Sequence, residues 1–79
     1  MKISARYGAV LSWPETKGVA PFEQYYFCAD FEVYFWRHGQ RFSKRFESVI
    51  FASMKEIPDT GGQVEVEFDE VTGEIWLST

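Results

Sequence analysis

One cysteine and one histidine among 79 residues leave this chain little material for site chemistry. Cys28 has no partner for an internal disulfide, which fits a reducing compartment. Flanked by Phe27 and Ala29 in an apolar run, it reads as a small buried hydrophobe rather than a reactive thiol. A lone His with a lone Cys excludes the usual zinc arrangements, and no segment matches the Gly-spaced calcium loop. Neither metal nor cofactor is therefore expected. Nucleophilic catalysis would have to draw on His38 with Ser43, Ser48 or Cys28. A histidine beside Gly39 and Arg37 reads instead as a surface turn residue. Gly61 and Gly62 precede a strand, not a helix, so they make a turn rather than a phosphate loop. The expectation is a non-enzymatic protein. Long apolar blocks are missing too: nothing at the start resembles a signal peptide and nothing has the length of a membrane span. A soluble, cytoplasmic protein with no membrane partner is expected.

What the chain does hold is aromatic. Ten of its fifteen Phe, Tyr and Trp residues fall between Phe22 and Phe46. Aromatics carry large buried areas and dominate both cores and interfaces, so this stretch is core, binding surface or both. At 79 residues there is room for one domain spanning the whole chain, 1–79, near the lower limit of independent stability. With no staple available, a dense aromatic core has to supply the stability.

Charge is unevenly spread. The net charge is −4. From Glu56 onward there are seven acidic residues and no Lys or Arg, while Arg37, Arg41, Lys44 and Arg45 cluster around the middle. Overall acidity opposes general nucleic-acid binding by phosphate neutralisation. It suits solubility or attraction to a basic partner. The plainer reading is that the two blocks are solvated faces that attract each other within the fold.

Residues 2–13 alternate almost strictly, with Ile3, Ala5, Tyr7, Ala9, Leu11 and Trp13 on one side, the signature of a half-buried strand ending at Pro14. Residues 14–21 read as a loop. Tyr25–Ala29 and Phe31–Arg37 read as strands with a bend or bulge at Asp30. The second places Phe31, Val33 and Phe35 on one face and Glu32, Tyr34 and Trp36 on the other. A turn at His38–Gln40 leads to a return strand, Arg41–Phe46. From Glu47 the spacing of Val49, Ile50, Met54 and Ile57 predicts a helix ended by Pro58, with Phe51 on its far side. The last hairpin alternates Val64, Val66 and Phe68 with Glu65, Glu67 and Asp69. It turns through Glu70–Gly73 and returns with Ile75 and Leu77 against Val66 and Phe68. The expected fold class is α+β: a single small domain with an antiparallel sheet of about five strands and one helix packed on one face.

Two surfaces stand out as partner-binding candidates. The first carries Tyr34 and Trp36, with Tyr26 as a further candidate, beside Arg37 and Arg41. These residue types are enriched at binding hot spots and on platforms where single-stranded bases stack. The second is the acidic face of the last hairpin, Glu65, Glu67, Asp69 and Glu74 with Trp76, whose carboxylate row is able to imitate a phosphate backbone. The leading expectation is a protein-binding domain that inhibits or adapts a larger protein or ribonucleoprotein complex. In size, acidity and lack of motifs the chain resembles the compact anti-defence proteins of phages and mobile elements, such as anti-CRISPR inhibitors. That resemblance is one of general character, and it implies a protein that blocks a nucleic-acid-handling complex. The alternative is a single-stranded nucleic-acid binder using Tyr34, Trp36, Arg37 and Arg41. The oligomeric state is open.

Overall fold

The computed structural model describes residues 1–78 as five antiparallel strands joined by turns: β1 (Lys2–Lys17), β2 (Gln24–Arg37), β3 (Gln40–Phe51), β4 (Gln63–Phe68) and β5 (Ile75–Leu77). They form one sheet in the order β3-β2-β1-β4-β5. Strands β1 to β3 follow one another through hairpins, and the chain then returns by a longer connection to lay β4 beside β1. This is the Greek-key arrangement. The sheet curls until its two ends nearly meet. Phe42 on β3 lies 4.9 Å from Phe68 on β4, ring centre to ring centre, and Arg37 reaches Glu70 beyond β4. The result is a nearly closed barrel whose two edge strands are β3 and β5.

The expected α+β class is thereby corrected to all-β, and among the described residues no helix packs on the sheet. Residues Glu47–Phe51 continue β3, and among the described residues the only helical ones are one 3-10 turn, Met54–Glu56. The cause of the misreading is a β-bulge. On β3, Glu47 and Ser48 together oppose the single residue Asp30, and Ser48 takes a positive φ of 53°. Inserting one residue into a period of two puts Phe46 and Val49 on the same face three positions apart, which imitates a helical stripe. Phe51 consequently joins the core face, 6.5 Å from Phe31.

A second bulge lies in β1, where Gly8 and Ala9 oppose Glu32. Before it, Ile3, Ala5 and Tyr7 face the core. After it, Val10 and Ser12 do so, and Leu11 and Trp13 turn to the opposite face. The expected single side from Ile3 to Trp13 is thus split. Gly8 has a steric role: a Cβ there would lie 3.0 Å from the Glu32 carboxylate and 3.2 Å from its Cβ. Nor does the strand end at Pro14, since pairing runs on to Lys17 opposite Gln24. Pro14 is tolerated because β4 pairs only with Lys2–Arg6, leaving this part of β1 an edge.

The core lies on the inner face of the curl. Phe31, Val33 and Val66 are fully buried, with Ala5, Ala29, Phe35, Phe68 and Ile75 around them. Phe31 meets Tyr7 edge-on at 5.3 Å and stacks on Phe46 at 5.6 Å. Burying each such ring contributes roughly 2–3 kcal/mol. Ile57, just past the 3-10 turn, packs against this cluster, and Glu56 steadies the turn by accepting from the Ala52 and Ser53 backbone N–H groups. His38 and Gly39 take φ of 52° and 75°, the paired positive values of a two-residue hairpin whose twist suits its strands. The far half of β1 and β2 projects as an arm, so the molecule measures 53 × 22 × 16 Å.

Candidate binding face

Strand β2 has no extra residue, so its outward side chains form one unbroken column: Gln24, Tyr26, Cys28, Asp30, Glu32, Tyr34 and Trp36. On either side β1 and β3 contribute the residues paired with them. At the barrel end, Tyr34 lies between Arg6 and Ser43, Trp36 beside Arg41, and Glu32 beside Arg45. Trp36 is 66% exposed, an open indole on a rigid sheet. The Arg41 guanidinium sits 4.8 Å from the centre of the Tyr34 ring and donates to Glu32 Oε1 at 2.6 Å. Ser4, Arg6, Tyr34 and Trp36 border a shallow depression of about 170 Å³.

Of the four residues in the first expected surface, three lie together: Tyr34, Trp36 and Arg41. Arg37 does not. Strand alternation turns it to the inner side of the sheet, where it pairs with Glu70 at 3.1 Å. That contact is the attraction between basic and acidic blocks, realised at one point. Two residues that the sequence reading left out of this surface, Arg6 and Arg45, stand on it. Arg6 donates to the Gly61 carbonyl at 2.8 Å, and Arg45 lies 3.5 Å from Asp30 and 3.4 Å from Glu47.

The acidic surface is less uniform than its sequence. Glu65 lies 3.5 Å from the Lys2 ammonium and Glu67 lies 3.4 Å from the amino terminus. Asp69 belongs to the following turn, where its carboxylate accepts from the Val71 and Thr72 backbone N–H groups. Those hydrogen bonds hold its pKa below the ordinary aspartate value. Glu74 is exposed and lies outside the strand. Trp76 stands opposite Glu67 and is 43% exposed. A continuous free carboxylate row is therefore not what the fold presents.

Along the arm the outer face changes character. Trp13 pairs with Cys28 and Cys28 with Ile50, while Glu15 pairs with Tyr26 and Lys17 with Gln24. Cys28 is buried beneath these neighbours, as its apolar context predicts. Leu11 and Ile50 are 63% and 68% exposed. Lys17, Gln24, Tyr25, Tyr26 and Ile50 line an open depression of about 500 Å³. The signal for this patch was the glycine at position 8, which marks where the strand's two faces exchange.

Among the described residues no cluster of His, Cys, Asp and Glu is arranged to hold a metal ion, and no helix is long and apolar enough to cross a membrane. Compared with protein-family models, curated proteins and solved structures, the chain matches none.

Proposed function

We propose that this protein binds single-stranded nucleic acid on the outer face of β1–β3. The observation that carries the reading is the placement of Trp36, Tyr34 and Arg41 on one open sheet face of a partly open, five-stranded Greek-key barrel. Barrels of that architecture, the OB-folds, bind oligonucleotides and oligosaccharides on the face of strands 2 and 3. The architecture is an analogy of scaffold and raises the prior; the site itself has to supply the chemistry.

That chemistry is suited to bases and phosphates. The exposed Trp36 indole offers a π-face on which any base stacks, worth about 1–3 kcal/mol per base. Half-buried Tyr34, with the Arg41 guanidinium over its ring, extends that platform as a cation–π pair. Arg6, Arg41 and Arg45 supply planar forks that match phosphate oxygens. The net negative charge limits affinity. The carboxylates Glu32, Asp30 and Glu47 already engage Arg41 and Arg45, so incoming phosphates compete with them. Binding in the micromolar range and strongly salt-dependent is expected. A carboxylate row acting as a phosphate mimic has less support, because Lys2 and the amino terminus already neutralise part of it.

The test is fluorescence anisotropy of labelled single-stranded DNA and RNA at low salt, with the wild type, Trp36→Ala and Tyr34→Ala. Wild-type binding weakened about tenfold or more by either substitution is the expected result. Absence of binding at tens of micromolar wild-type protein removes the reading.

A further inference from the structure

We infer that the depression on the β1–β2 arm is a second nucleotide subsite on the same track, so that full affinity requires a strand long enough to reach from Trp36 to Tyr26. This rests on the nucleic-acid reading above and extends it along the molecule.

The geometry is set by the uninterrupted alternation of β2. Trp36, Tyr34, Tyr26 and Gln24 all project from the same side of one strand. Both bulges lie on its neighbours, so neither breaks the column. An open surface depression of about 500 Å³ lies at the far end of that column, lined by Lys17, Gln24, Tyr25, Tyr26 and Ile50. Its lining suits a nucleotide by chemical type. Tyr26 offers a stacking surface on this side, while Tyr25 borders the depression from the opposite face of the strand. The Gln24 amide offers both a donor and an acceptor to a base edge, and the Lys17 ammonium suits a phosphate. Lys17 has no carboxylate partner within ion-pair distance among the described residues.

Ten residues separate Trp36 from Tyr26, or ~33 Å along a strand at ~3.3 Å per residue. A stacked single strand rising ~3.4 Å per nucleotide covers that distance with about ten nucleotides. This falls within the site sizes of about 4–16 nucleotides found for such barrels. Between the two aromatic ends lie Asp30 and Glu32, each engaged by an arginine. The strand passes these two neutralised carboxylates and then meets Glu15, which stands opposite Tyr26 and is held by the Trp13 indole N–H rather than by a cation.

The experiment is a length series of labelled oligothymidylates, from 4 to 16 nucleotides, titrated with wild type, Tyr26→Ala, Lys17→Gln and Trp36→Ala. Thermal unfolding of each variant checks that it is folded. For the wild type, affinity should rise at least tenfold between the short and long ends, with the step near ten nucleotides. Tyr26→Ala and Lys17→Gln should flatten that step while leaving 4-nucleotide binding within about twofold of wild type. Trp36→Ala should weaken every length. A length step that survives both arm substitutions overturns the second subsite and leaves the first face standing. Loss of short-oligonucleotide binding in both folded arm variants overturns it as well, by placing the primary site on the arm. If no oligonucleotide binds the wild type, both readings fall together.

Discussion

The backbone N–H of Ser48 donates to Asp30 Oδ1 at 2.8 Å across the β2–β3 bulge, while the other oxygen of the same carboxylate faces Arg45 at 3.5 Å. One aspartate thus satisfies the backbone group that the bulge removes from the ladder and holds an arginine on the candidate face. Asp30→Ala is expected to destabilise the fold by about 1–2 kcal/mol, with Asp30→Asn closer to wild type because its amide oxygen still accepts. Urea denaturation measures the difference, and an Asp30→Ala midpoint equal to wild type would show that the bulge holds without its clamp. Since Ser48 has a positive φ, Ser48→Gly should be neutral or slightly stabilising, the relief of strain offsetting the entropy of glycine.

Gly8 couples the other bulge to the same face. An added Cβ meets the Glu32 side chain at 3.0–3.2 Å, and Glu32 in turn holds Arg41. Gly8→Ala should push Glu32 aside, loosen the Arg41 pair and cost about 1 kcal/mol, while Gly8→Val, with a bulkier branched side chain, costs more. The check is urea denaturation of both variants beside wild type. Equal stability of all three would mean that the bulge has room the geometry does not display.

These two bulges also explain what the sequence displayed and what it concealed. Phe31, Val33 and Phe35 alternate without interruption and lie where their pattern puts them, and Val66 and Phe68 meet Leu77 and Ile75 in the register that one apolar face demands. Period-two alternation is local, so it survives in the sequence. A bulge shifts the phase by one residue, and neither Gly8 nor Asp30 states on which strand the extra residue sits. The shift at Ser48 turned a strand into an apparent helix. That at Gly8 hid Trp13 and Leu11 among residues assigned to the core. Barrel curvature is likewise non-local: it depends on Phe42 reaching Phe68 across the curl of the sheet. Arg37 follows Trp36 in the sequence yet faces away from it in the fold, because consecutive strand residues point to opposite faces.

Asp69 predicts a specific acid response. Its carboxylate accepts from the Val71 and Thr72 backbone N–H groups, and the folded pKa lies below the ordinary value. A carboxylate depressed by folding contributes stability that is present above its unfolded pKa and lost as pH falls through the folded one. Stability measured from neutral pH down past the ordinary aspartate range should therefore fall more steeply for wild type than for Asp69→Asn. Parallel curves would assign the acid loss to other carboxylates.

The Arg41–Glu32 pair predicts a gain rather than a loss. Both side chains are partly exposed, so the ion pair itself is worth little, about 0–1 kcal/mol. Glu32→Gln should leave stability nearly unchanged while removing the carboxylate that competes with phosphate for Arg41. Single-stranded binding should then tighten several-fold. The slope of log affinity against log salt should steepen by about 0.7 for the one cation released to phosphate. Arg41→Gln should do the reverse on both measures. The double variant should match Arg41→Gln alone, because Glu32 acts on the ligand chiefly through the arginine it holds. If Glu32→Gln tightens binding equally in the presence and absence of Arg41, the carboxylate repels the strand directly. Arg41 then stabilises the sheet by lying over Tyr34 rather than contacting phosphate.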